Sequence, residues 1–168
     1  NPDAAYCDTF RAERALEKPG PDGGYMLVKG DLTGIQEYIY NGIQPQKAGG
    51  LGNLAKRLRA RSILVSLLTD FIANVILREL GLNSWHLLFA GGGHFNLLLP
   101  DDAETRVRLN MISESLDKAM KQRFGEHLEL IIANVECKSE DIKTKISRCF
   151  EEVNAECDRK KYRKHRKD

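Results

Sequence analysis

The sequence predicts an α+β domain of β-α-β-β-α-β order, the ferredoxin-like arrangement. Its sheet is antiparallel, with helices on one face and an extra C-terminal helix. Three observations lead there. Apolar residues alternate on both sides of a glycine triplet in "SWHLLFAGGGHFNLLLP", residues 84–100, as in a β-hairpin. Apolar runs of single-strand length stand at "YMLVKGD", 25–31, and "LELIIANVEC", 128–137. Two long stretches of helical period, about 54–80 and 102–123, separate these strands.

Each element has its own signal. Residues 1–24 are polar and end in "KPGPDGG", which breaks regular structure, so they read as a linker with a short helix around 3–17. Residues 25–138 read as the folded domain and 139–168 as a helix leading to a following domain. After the first strand, "TGIQEYIYNG" has capping-box spacing at Thr33 and Gln36 and predicts a short helix closed by Asn41-Gly42. A glycine-rich loop spans 43–53. The long helix that follows draws its apolar face from Leu58, Leu64, Leu67, Leu68, Phe71, Ile72, Val75 and Ile76, and Gly81 stops it. In the hairpin, Trp85, Leu87 and Phe89 alternate on one strand and Phe95, Leu97 and Leu99 on the other, with Gly91-Gly92 as the turn. The second long helix carries Val107, Leu109, Ile112, Leu116 and Met120. Ser139, Glu140 and Asp141 open one final helix with Ile142, Ile146, Phe150 and Val153 on its apolar side.

Composition narrows the function classes. The 168 residues suit one domain with a sizeable core. The formal charge of +2 predicts no polyanion partner by itself. No apolar run approaches the roughly 20 residues of a membrane span, so no membrane partner is expected. Cys7, Cys137, Cys149 and Cys157 form no C-x-x-C pair and no zinc-finger spacing, which predicts reduced thiols, a cytoplasmic setting and no zinc. The first residue is Asn, so the chain is expected to be part of a longer one.

Three groups of residues can carry chemistry. Asp31 ends the first strand just before a helix N-terminus. It can cap that helix, or hold a divalent metal beside an anion on the Thr33, Gly34 and Ile35 N–H groups. In the predicted fold it lies near the Gly91–Phe95 turn. Two-metal nucleotidyl chemistry needs further carboxylates. Cyclases of the GGDEF type carry an acid after the Gly-Gly of this hairpin, but here the letters are Gly91, Gly92, Gly93, His94, Phe95. Asp101 and Asp102 lie roughly 26 Å farther along an extended strand, too far to share Asp31's metal. His94 can meet a phosphate or a base edge, or simply be a polar side chain at a sheet end. Basic residues form the third group. Lys47, Lys56, Arg57, Arg59 and Arg61 run without an acid between Gln44 and Thr69, and seven of the eleven residues of "DRKKYRKHRKD", 158–168, are Lys or Arg. Both runs suit phosphate or RNA contact, or a solvated face. No P-loop is present.

Taken together, "KGDLTGIQEYIYNG", "AKRLRARS" and "FAGGGHFNLLLP", in that order, resemble the large multidomain subunit of type III CRISPR effector complexes, and G-I-Q after the strand suggests the III-A type. Within that subunit they resemble the first of two palm, or GGDEF-like cyclase, domains, over about residues 25–137. The resemblance implies a cytoplasmic role in antiviral defence. Two palms face each other and hold two ATP molecules with Mg²⁺ or Mn²⁺. The second palm carries Gly-Gly-Asp-Asp and the catalysis, and cyclic oligoadenylate is the product. The first palm lacks the acids, as here, so no complete catalytic set is expected in this chain. Carried over by the resemblance, Asp31, Gly34, Arg61, Ser62, Gly92, Gly93 and His94 line or shape a nucleotide pocket, with Asp31 as the metal candidate. Lys47, Lys56, Arg57 and Arg59 are expected at phosphates or RNA. The implied partners are the second palm, the other subunits of the guide-RNA complex, and RNA through that complex. The competing reading is an RNA-binding ferredoxin-like module that stacks bases on Phe89 and Phe95.

Overall fold

The computed structural model describes residues 15–16, 19–20, 23–40 and 51–165, with side chains from 53 to 164 in the last stretch. The predicted helix at 3–17, apart from Ala15 and Leu16, and most of the loop at 43–53 lie outside the described residues. The elements are β1 (Gly24–Thr33), α1 (Ile35–Tyr40), α2 (Leu51–Glu79), β2 (Leu87–Gly91), β3 (His94–Pro100), α3 (Ala103–Phe124), β4 (Glu129–Lys138), α4 (Ser139–Thr144) and α5 (Ile146–His165). The strands form one antiparallel sheet in the order β2-β3-β1-β4. This is the order that β-α-β-β-α-β connectivity produces.

β1 is apolar on both faces because both faces are covered. Met26, Val28 and Leu32 join Phe95, Leu97 and Leu99 under α2 and α3, with Val65, Ile72, Ile76, Leu109 and Met120. Tyr25 and Leu27 point the other way and meet Leu98, Ile131, Ala133 and Cys137 beneath α4 and α5, with Ile142, Cys149, Val153 and Cys157. Ala15 also packs into this second core, and the Tyr25 hydroxyl donates to the Leu16 carbonyl at 2.5 Å. Cys137, Cys149 and Cys157 are buried free thiols, and burial pushes the Cys137 thiol far up.

Several expected boundaries move. α2 begins at Leu51, inside the expected loop. It ends in a Schellman motif: Gly81, at φ 69°, donates to Arg78 O and Leu82 donates to Leu77 O. Trp85 sits in a 3-10 turn (84–86), not in β2. The buried His86 in that turn donates Nδ1–H to the Leu98 carbonyl at 2.7 Å. The single final helix is two, α4 and α5, broken at Lys145.

The apolar face assigned to α2 is the largest departure. Val65, Thr69, Ile72, Ala73, Ile76 and Leu77 face the core. Leu64, Leu67 and Phe71 lie outward with Ile63, and Leu67 and Phe71 are 60% and 62% exposed. By length and composition alone, the helix over residues 53–79 contains an 18-residue window apolar enough to cross a membrane, at a mean hydropathy of 1.6. The inner side of this helix is nevertheless part of the core around the sheet.

Candidate functional site

The hairpin turn and the middle strand fix the site. β1 pairs with β3 up to Asp31↔His94, and on its other side Asp31 pairs with Ile131. Directly opposed residues of an antiparallel pair share a face. Gly30↔Phe95 belongs to the face under α2 and α3, so Asp31 and His94 belong to the face that α5 packs against. The two central turn residues are Gly92 and Gly93, at φ 61° and 89°, one residue later than Gly91-Gly92. Both angles lie in the left-handed region that a tight two-residue hairpin requires. The turn is tied to β1 by the Leu32 N–H, which donates to Gly93 O at 2.8 Å.

Asp31 is inside β1, not at its end. β3 begins at His94, so its pairing with β1 stops at Asp31, but β4 continues to pair with β1 as far as Thr33↔Glu129. Thr33 therefore stays in the strand and Gly34 intervenes before α1, so Thr33 is not the N-cap of this six-residue helix. Gly34, at φ 82°, has a packing reason: a Cβ there would lie 2.3 Å from His127 O. A Cβ on Gly93 would lie 2.2 Å from Cδ1 of Ile35. These two glycines shape the joint between β1, α1 and the turn.

The Asp31 carboxylate is ion-paired with the Lys161 ammonium of α5. Burial pulls Lys161 down, but the hydrogen bond and charge of Asp31 outweigh it and leave the lysine raised. Among the described residues, no group of three or more His, Cys, Asp and Glu gathers as a metal site. A hard divalent cation takes several oxygen ligands. The donor set at Asp31 is one carboxylate already engaged by an ammonium, which does not fit such a cation.

Two neighbours on the same face carry signals that sequence reasoning used differently. Phe89, 47% exposed, stacks obliquely on His94 with ring centroids 4.9 Å apart. Asn96, opposite Lys29 in register, buries a side-chain oxygen that has no hydrogen-bond partner among the described residues. A lone Asn in the apolar run "FNLLLP" was its only mark in the sequence. Phe95 points into the other core and is 1% exposed, so it cannot stack a base.

The remaining expected residues scatter. Arg61 donates from Nη1 to the carbonyls of Tyr38 (2.8 Å) and Ile39 (3.2 Å), and its guanidinium lies 5.6 Å from the Tyr38 ring centroid. It ties the end of α1 to α2. Ser62 is exposed, as are Lys56, Arg57 and Arg59 along the first turns of α2. Lys47 lies outside the described residues. In the described part of the C-terminal basic run, Lys160, Lys161 and Lys164 turn toward the sheet and its neighbours, while Arg159 and Arg163 are exposed. Lys160 donates to Ile132 O at 2.8 Å, and Lys164 pairs with Asp117 at 2.8 Å and with Glu129 at 3.2 Å. Burial alone would raise Asp117, but Lys164 and Lys121 hold it below the usual carboxylate range.

Similar proteins share this fold. A relative from Mycobacterium tuberculosis, described as the CRISPR system single-strand-specific deoxyribonuclease Cas10/Csm1 of subtype III-A, is 30% identical over 135 residues, 80% of this chain and 15% of its own length. One of the same description from Enterococcus italicus is 33% identical over 118 residues, 70% of this chain and 15% of the relative. The chain thus spans a small part of these proteins. The crystal structure of Csm1 in T. onnurineus superposes over 92% of this chain and 22% of that one, at TM-score 0.67 and 25% identity. A Csm1-Csm4 cassette in complex with pppApApA superposes over 92% of this chain and 23% of that one, at TM-score 0.74 and 21% identity. The family model for Csm1 subunit domain B matches residues 24–168, and the chain belongs to that family.

Proposed function

We propose that this chain is a palm domain lacking a complete catalytic set, which supplies one ATP pocket to a two-palm cyclic oligoadenylate synthetase. The synthetase is the large subunit of a type III-A CRISPR effector complex in antiviral defence. The observation that carries this reading is Asp31 opposite His94, beside a Gly92-Gly93 turn that bears no acid. The exposed Phe89 ring, stacked on the half-buried His94, offers an aromatic step for a base. Csm1-Csm4 cassettes have been solved with one ATP, AMPPNP and cA3, which supports a nucleotide role for the family. The second palm, bearing the metal-dependent chemistry, and the other complex subunits are the partners this reading requires.

The test is made on the subunit that carries this domain. ATP binding and cyclic product are measured in Asp31→Ala and His94→Ala variants. The reading expects each variant to weaken ATP binding at one of two sites and to lower product. If both variants bind ATP and form product as wild type does, the site assignment is wrong. The RNA-module alternative needs Phe89 and Phe95 both open, and Phe95 is buried.

A further inference from the structure

Charged side chains from two elements meet over the end of β1. Lys161 of α5 is ion-paired with Asp31 and lies 3.5 Å from Asp158. Lys29, two residues before Asp31 on the same strand face, donates to Asn154 Oδ1 of α5 at 2.7 Å. Below them Cys157 is fully buried, its thiol pushed up first by burial and then by the Asp31 charge. The cluster holds two ammoniums and two carboxylates. A divalent ion entering at Asp31 would have to displace the Lys161 ammonium and would then sit close to the like charges of Lys161 and Lys29, a repulsion that grows as water is excluded.

We infer that Lys161 holds the position of a divalent cation at Asp31. This half-site then meets nucleotide phosphates with the Lys161 ammonium, which Asp31 holds in place, and binds no metal of its own. The phosphate clause rests on the nucleotide reading above; the replacement of a metal by Lys161 does not. Divalent metal in the two-palm enzyme would then belong to the partner palm. The C-terminal helix, which looked like a solvated basic tail, becomes part of the site.

Mn²⁺ broadening of backbone amide signals tests this on the 168-residue chain without nucleotide. In wild type, Mn²⁺ should leave the Asp31 and Ile131 amides sharp at concentrations that broaden exposed acidic positions such as Glu104. In Lys161→Met, which keeps the aliphatic stem, those amides should broaden at about tenfold less Mn²⁺ than in wild type, as expected when a contacting like charge is removed. Broadening of Asp31 in wild type to the extent seen in the variant overturns the inference. Sharp Asp31 signals in a folded Lys161→Met overturn it too, because Lys161 would then not be what excludes the metal. If the variant does not fold, Lys161→Gln takes its place under the same criteria. ATP is titrated separately into the same wild-type chain joined to its partner palm. Failure of that titration counts against the nucleotide reading and leaves the Mn²⁺ result to decide the role of Lys161.

Discussion

The ring of Phe95 occupies the space beside Gly30: a Cβ on Gly30 would lie 2.0 Å from its Cζ. The two residues are paired in register, so neither strand can slide to relieve the overlap. Gly30→Ala should therefore destabilise by about 1–3 kcal/mol through overpacking. At about 2–4 °C per kcal/mol for a chain of this size, the loss is visible in a thermal melt. Gly30→Ala with Phe95→Leu should recover part of it, since a smaller side chain vacates the contact. An unchanged melting temperature in the single variant would show that the ring moves aside at no cost.

Gly34 and Gly81 share a left-handed backbone but not a neighbourhood. A Cβ on Gly34 would meet His127 O at 2.3 Å, whereas Gly81 has nothing within 4 Å. Gly81→Ala should cost only the backbone term of about 1–2 kcal/mol. Gly34→Ala adds a clash with backbone and should cost more. Chemical denaturation of both variants gives the ordering directly, and equal losses would contradict the packing account.

Asp102 caps α3. Its Oδ1 accepts from Thr105 N at 2.7 Å and its Oδ2 from the Thr105 hydroxyl at 2.8 Å. The backbone N–H of Thr105 is the main cause of a pKa below the usual carboxylate range. A depressed carboxylate contributes stability that is present above its unfolded value and lost as pH falls through its folded one. Asp102→Ala should cost about 1 kcal/mol near neutral pH. The gap from wild type should close below about pH 4, where the unfolded carboxylate begins to protonate. A gap that stays constant down to pH 2 would mean the loss is not one of the charged cap.

The strands and the hairpin could be read from the sequence because apolar alternation on both sides of a glycine turn fits little besides a hairpin. The orientation of α2 could not. Ile63, Leu64, Leu67 and Phe71 lie outside while Val65, Ile72 and Ile76 lie inside, so the helix is apolar on opposite sides and periodicity picks no single face. The structure makes the choice checkable. Phe71→Ser should change stability by no more than about 0.5 kcal/mol, and Ile72→Ala should cost about 2–5 kcal/mol.

The candidate site was legible in the same uneven way. Asp31 and the glycine turn are adjacent by topology, so the strand order alone brings them together. The partner of Asp31 lies on the last helix, in a basic run whose residues look solvent-directed from composition. Nothing local announces that Lys160, Lys161 and Lys164 turn back onto the sheet and its neighbours. Arg61 shows the converse: it stands in a motif-like basic segment, and its guanidinium is spent on the carbonyls of α1.

The central claim is that this palm holds one of two nucleotides. ATP stoichiometry, measured by equilibrium dialysis on the subunit that carries this domain, tests it most directly. Wild type should bind two ATP per subunit, and the Asp31→Ala/His94→Ala double variant should bind one while keeping its fold. Two ATP bound by both proteins with equal affinity would contradict the account.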